Sequence, residues 1–110
     1  MINKSVEAKA LLAGLLLGMA VLPAQAAGDP AAGAKKNAMC IGCHGIETYK
    51  TAFPTVYPVP KIAGQYPQYI VKALSAYKSG DRQHPSMRAI AGSLSDQDME
   101  DLAAYYDQAK

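Results

Sequence analysis

Cysteine is scarce in this chain: only Cys40 and Cys43 occur in 110 residues. Pairing them would close a loop too short to staple a fold, so a disulfide scaffold is excluded. Charge is scarce as well, at 18% of residues, and no basic stripe or Arg-interleaved aromatic run is present, which argues against nucleic acid as a partner. No segment alternates apolar and polar residues as a half-buried strand does. Half of the residues are hydrophobic, and that excludes a disordered chain.

The one long apolar run, Ala10 to Leu22, follows Lys4 and Lys9 and is ended by Pro23. It is shorter than the ~20 residues that cross a bilayer. With Ala24 and Ala26 flanking Gln25, it fits an export signal cut after Ala26 better than a retained anchor. The expected organisation is therefore a signal peptide over residues 1–26 and one domain over 27–110, exported to the periplasm, with no membrane span after cleavage. The domain keeps nine Lys or Arg and eight Asp or Glu, close to neutrality. Its 84 residues make a small core of the kind that a metal, a cofactor or disulfides commonly supplement.

Cys40-Ile41-Gly42-Cys43-His44 is the attachment pattern of a c-type haem. Two thiols at this spacing can add to the two vinyl groups on one edge of a porphyrin, and the next histidine reaches the iron. Two other chemistries compete. A thioredoxin-like dithiol needs a preceding strand in a βαβ unit, whereas Ala, Lys and Asn in a helical pattern precede Cys40. A zinc site has four donors available in Cys40, Cys43, His44 and His84, but adjacent Cys43 and His44 are awkward partners on one small ion.

For the second axial position of the iron, Met39 abuts Cys40 and Met99 falls on an apolar helical stripe. Met87, in the segment Arg82 to Met87 read as a loop, is preferred, with His84 as the rival ligand. Three helices are expected. The first has Asp29 as N-cap and Pro30 at its first position, and extends to about Met39. The second follows Gly64, carries Tyr66, Ile70, Leu74 and Tyr77, and ends at Gly80. The third is capped by Ser95 and carries Met99, Leu102, Ala103 and Tyr106. The long connection between His44 and the second helix, with Pro54, Pro58 and Pro60, is expected to wrap a cofactor and pack Phe53, Tyr57 and Ile62 on it. Tyr49, Tyr57 and Tyr66 are candidates for hydrogen bonds to haem propionates or for plain packing.

The mature chain resembles the class I cytochromes c, in particular the small bacterial ones similar to one half of the two-haem cytochrome c4. The resemblance rests on Gly28-Asp29-Pro30-Ala31-Ala32-Gly33, Cys40-Ile41-Gly42-Cys43-His44-Gly45, Pro60-Lys61-Ile62-Ala63-Gly64-Gln65 and the stretch from Met87 through Tyr106. It implies an all-α small cytochrome c fold of three to four helices with long loops around one covalent haem c and its iron. It also implies Met87 as distal ligand, a hydrogen bond from His44 to the Pro60 carbonyl, and close helix crossing at Gly33 near Tyr105 or Tyr106. One haem motif in place of two means that the tandem function does not carry over.

The expected function is one-electron transport without bond chemistry, so not an enzyme, between redox protein partners such as a dehydrogenase, a reductase or a terminal oxidase. Lys35, Lys36, Lys61 and Arg88 are candidates for a partner-facing rim. A fixed haem subunit of an oxidoreductase, and a sensor or peroxidase-like protein with an open iron, are the competing functions.

Overall fold

The computed structural model describes residues 27–53 and 55–109; the expected signal peptide, residues 1–26, lies outside them, as do Pro54 and Lys110. Five helices and one short ribbon follow in the order α1 Pro30–Lys36, α2 Ala38–His44, β1 Lys50–Thr51, β2 Tyr57–Pro58, α3 Pro67–Ser79, α4 Pro85–Gly92 and α5 Asp96–Gln108. The fold is mostly helical, as a small cytochrome c fold requires.

α1 starts as its sequence suggests: Pro30 opens it and the Asp29 carboxylate accepts from the Ala31 N–H at 2.9 Å. The single helix expected to Met39 is instead interrupted at Asn37, whose side chain is buried against α5. There the Asn37 amide accepts from the Tyr106 hydroxyl and donates to the Tyr105 hydroxyl at 3.3 Å. Its carbonyl receives the N–H groups of Cys40 and Ile41 at 2.9 and 3.0 Å and so begins α2.

Pro67, not Tyr66, opens α3, so Tyr66 lies before the helix and is 77% exposed. Ile70 is buried and Leu74 packs beside it. The helix ends at Gly80, whose φ of +92° is a left-handed conformation that glycine alone adopts freely. Ser95 caps α5 through a reciprocal pair with Asp98, its side chain accepting from the Asp98 N–H at 3.1 Å and its own N–H donating back at 2.9 Å. The stripe expected on this helix is the centre of the core: Met99, Leu102, Ala103 and Tyr106 are all buried, together with Ile70 and Leu94.

α1 crosses α5 at Gly33, where an added Cβ would sit 2.1 Å from the Asp101 carbonyl oxygen, so no side chain fits there. The crossing is tied by the buried Asp101 carboxylate. It accepts from the Asp29 N–H at 2.8 Å, the Lys36 ammonium at 2.6 Å and the Gln97 amide at 2.9 Å.

Between α2 and α3 the chain makes the expected long excursion with a two-residue antiparallel ladder, Lys50 opposite Pro58 and Thr51 opposite Tyr57, that no sequence alternation announces. Pro58 and Pro60 carry no N–H to extend the ladder, which explains its brevity.

Candidate functional site

α2 presents Cys40, Cys43 and His44 on one and a half helical turns, which places both thiols and the imidazole within a short span. Cys40 packs against the core beside Tyr106, and Cys43 is exposed; both thiols are free. Burial pushes the Cys40 thiol above its ordinary value, partly offset by the neighbouring Tyr106. Burial first, and the neighbouring Cys40 second, push the Tyr106 phenol well above the usual range. Gly45 closes α2, its N–H donating to the Ile41 carbonyl at 3.0 Å.

His44 ends α2 and its Nδ1 lies 2.5 Å from the Pro60 carbonyl oxygen. A carbonyl only accepts, so Nδ1 carries the proton and the neutral ring keeps its lone pair on Nε2, the form that binds a metal. The same loop is closed at two further points. The Val59 N–H donates to the Tyr49 carbonyl at 2.9 Å, and Lys61 pairs with Glu47 at 2.5 Å. The Lys61 hydrogen bond holds the exposed Glu47 carboxyl below its usual value.

Met87 does not lie in a loop. It is the third residue of α4, half-buried, and its N–H donates to His84 Nδ1 at 3.3 Å. The run Pro85-Ser86-Met87 is helical because Pro85 suits a first helical position and His84, extended at φ −165°, serves as the N-cap. Among the described residues no three His, Cys, Asp or Glu side chains converge to hold a metal ion, so the four zinc donors Cys40, Cys43, His44 and His84 do not form one site. Nor does a strand precede α2 among the described residues, which removes the thioredoxin-like context.

The residues present fit a haem. Ile41, Ile46, Phe53, Val56 and Tyr57 are 48 to 86% exposed, an apolar surface around α2 and its loop that a large planar apolar group would cover. Of the residues expected on the cofactor, Ile62 is partly buried beside the core, as Cys40 is. Two of the four candidate rim cations are engaged within the chain: Lys36 bridges Asp98 and Asp101, and Lys61 pairs with Glu47. Asn37, three residues before Cys40 and anchored to α5, is a site-supporting residue that the sequence reading missed. The signal was an Asn inside an otherwise Ala- and Lys-rich helical run.

A helical chain that sets two thiols and an oriented imidazole in a segment rich in exposed apolar side chains has the makings of a c-type haem protein. Residues 30–110 match the family model for cytochrome c, and the chain belongs to that family of electron-transport proteins, with covalently bound haem c and its iron. It is 42% identical over 101 residues to cytochrome c4 of Pseudomonas aeruginosa, covering 91% of this chain and 48% of that protein. It is 39% identical over 83 residues to cytochrome c-554(548) of Halomonas halodenitrificans, covering 73% of this chain and 95% of that one. A protein of Stutzerimonas stutzeri named thiosulfate dehydrogenase electron acceptor matches at 38% over 73 residues, 66% of this chain and 32% of that protein. The chain spans about half the length of the cytochromes c4 it matches. No helix of the described residues is long and apolar enough to cross a membrane.

Proposed function

We propose that this protein is a periplasmic one-electron carrier whose single haem is joined to Cys40 and Cys43 and whose iron is bound by His44 and Met87. The observation that carries this reading is the hydrogen bond from His44 to Pro60, which commits Nδ1 and leaves Nε2 as the donor. The haem supplies reversible one-electron exchange at iron. The chain's own residues tether the group through two thioether bonds, fix the imidazole by the Pro60 carbonyl, and offer in Met87 a soft thioether that favours the reduced metal. With His44 and Met87 both donating to the iron, the chain would leave no open site for a substrate, and the protein would transfer electrons between a donor and an acceptor protein without bond chemistry. Removal of residues 1–26 on export is part of the same reading, because haem attachment and use would follow outside the cytoplasm.

The test is the absorption spectrum of the purified oxidised protein beside Met87→Ala. A weak far-red band of sulfur on ferric haem, present in the parent and absent from the variant, is the expected result. A parent that holds covalent haem without that band would overturn the methionine assignment and favour a sensor or peroxidase-like protein with an open iron.

A second reading has one observation in its favour, the similarity to a protein named as the electron acceptor of thiosulfate dehydrogenase. On that reading the chain is the dedicated haem partner or subunit of one oxidoreductase. Co-purification with a dehydrogenase at fixed stoichiometry would establish it, and a monomeric elution profile at cellular concentrations would count against it.

A further inference from the structure

His84 and Met87 compete, on sequence, for the distal position. The structure gives the His84 imidazole another task. His84 is the N-cap of α4, and its Nδ1 accepts from the backbone N–H of Met87 at 3.3 Å, while its carbonyl accepts from Arg88 at 2.8 Å. Nδ1 must therefore hold the lone pair, and the proton of the neutral ring sits on Nε2. Neither nitrogen of that tautomer is left with a lone pair for iron.

The ring is also held from two sides. Tyr57, from the β1–β2 ribbon, meets it edge-on with centroids 5.4 Å apart, and Tyr77, from α3, does the same at 6.4 Å. Tyr77 is in turn covered by the Arg82 guanidinium, 4.8 Å from its ring centre, and Arg82 donates to the Tyr69 hydroxyl at 3.2 Å. His84 thus meets the ribbon through Tyr57 and α3 through Tyr77.

We propose that His84 is a positioning residue for the distal ligand: by capping the first turn of α4 it fixes the backbone of Met87, and the Tyr57 and Tyr77 rings hold it in the capping pose. The inference rests on Met87 being an iron ligand. A methionine side chain has three rotatable bonds and little preference of its own, so the strength of its bond to iron depends on how firmly its backbone is placed. An uncapped first helical turn frays, and each opening releases the sulfur.

The test uses the haem-loaded protein and three variants: His84→Ala, which removes the cap; His84→Asn, which keeps a good capping acceptor without the imidazole; and Ser95→Ala, which removes a cap remote from the haem. The reading is the affinity of added imidazole for the ferric protein, which it gains by displacing the sulfur, followed through loss of the far-red sulfur band. His84→Ala is expected to bind imidazole about fivefold more tightly than the parent, the scale of one lost cap. His84→Asn and Ser95→Ala are expected to stay within about twofold of the parent, since a single good cap or a remote one leaves the Met87 turn intact. Equal affinity in parent and His84→Ala overturns the proposal. So does His84→Asn behaving like His84→Ala, because the imidazole and not the cap would then matter, and so does Ser95→Ala matching His84→Ala, because general loosening would explain both. A parent without the sulfur band overturns the ligation reading itself, and this proposal with it. The failures are told apart by whether the band is present before any imidazole is added.

Discussion

The two halves of the described chain treat their apolar side chains in opposite ways. From Ile70 onward they close on one another: Ile70, Ala91, Leu94, Met99, Leu102, Ala103 and Tyr106 are all buried. From Met39 to Tyr57 they face outward, with Met39, Ile41, Ile46, Phe53, Val56 and Tyr57 each at least 44% exposed. So many exposed large apolar side chains within one short segment call for a covering group. The difference teaches where the fold ends and the cofactor begins. α3, α4 and α5 make a core from protein alone, whereas α2 and its ribbon leave apolar side chains exposed that the haem, joined at Cys40 and Cys43 as proposed, would cover.

The largest effect should come from withholding the haem. In a Cys40→Ser/Cys43→Ser chain, amide hydrogens of Tyr49 to Val59 are expected to exchange with an opening free energy near zero, while those of Leu102 and Ala103 stay slowest. Hydrogen exchange read by NMR or mass spectrometry checks this. Protection of the ribbon equal to that of α5 in the haem-free chain would break the comparison, because the segment would then be stable by itself.

Single side chains sharpen the same contrast. Leu102→Ala empties a site that is 1% exposed and should cost about 2–5 kcal/mol in urea unfolding of the haem-loaded protein. Phe53, at 86% exposure, should cost less than about 0.5 kcal/mol when changed to Ala in the haem-free chain. In the loaded protein the same change should cost about 1–2 kcal/mol, as expected for an aromatic ring partly covered by an apolar partner. A Phe53→Ala cost that does not depend on haem would mean that this side chain takes no part in covering the ring.

The elements of the self-cored half were the more legible ones, and for a physical reason. The α5 stripe repeats at helical spacing and Ser95 caps it within three residues, so local signals alone define it. Gly80 likewise announced the end of α3. The motif at Cys40, Cys43 and His44 stands out in the sequence because the covalent attachment proposed for it demands a fixed spacing. What stayed hidden depends on contacts distant in sequence. Asn37 interrupts the first helix because Tyr105 and Tyr106, some seventy residues on, take its side chain. The segment around Met87 read as a loop because a histidine is a weak sequence signal for an N-cap, and Pro85 fits a loop and a first helical turn equally well. The β1–β2 ladder is too short to leave an alternating pattern.

α1 joins the two halves, and it does so by charge more than by apolar burial. Its sequence is Pro, Ala, Gly and Lys, and among these only Gly33 is buried. Lys36 reaches Asp98 at 2.7 Å and Asp101 at 2.6 Å. The Lys36 ammonium, then the Ser95 backbone and side chain, hold the Asp98 carboxyl down at about 2. Lys36 first and the Asp29 N–H second hold Asp101 below its usual value, while Asp101 and Asp98 hold Lys36 above its own. Carboxyls that release protons more readily when folded contribute their full stability above the ordinary value near 3.8 and lose it as pH falls toward about 2. The raised lysine contributes below 10.5 and loses its share as pH rises beyond that. The smallest of the expected effects is therefore local: in Lys36→Met, NMR titration should find the Asp98 carboxyl moved up from about 2 toward 3.8, though short of it, because the Ser95 N–H still donates to Asp98 at 2.9 Å. An Asp98 titration unchanged by Lys36→Met would show that the α5 capping box alone sets it. The Lys36–Asp98 contact would then add nothing to the link between α1 and the core, which would rest on the Asp101 contacts of Lys36 and Asp29.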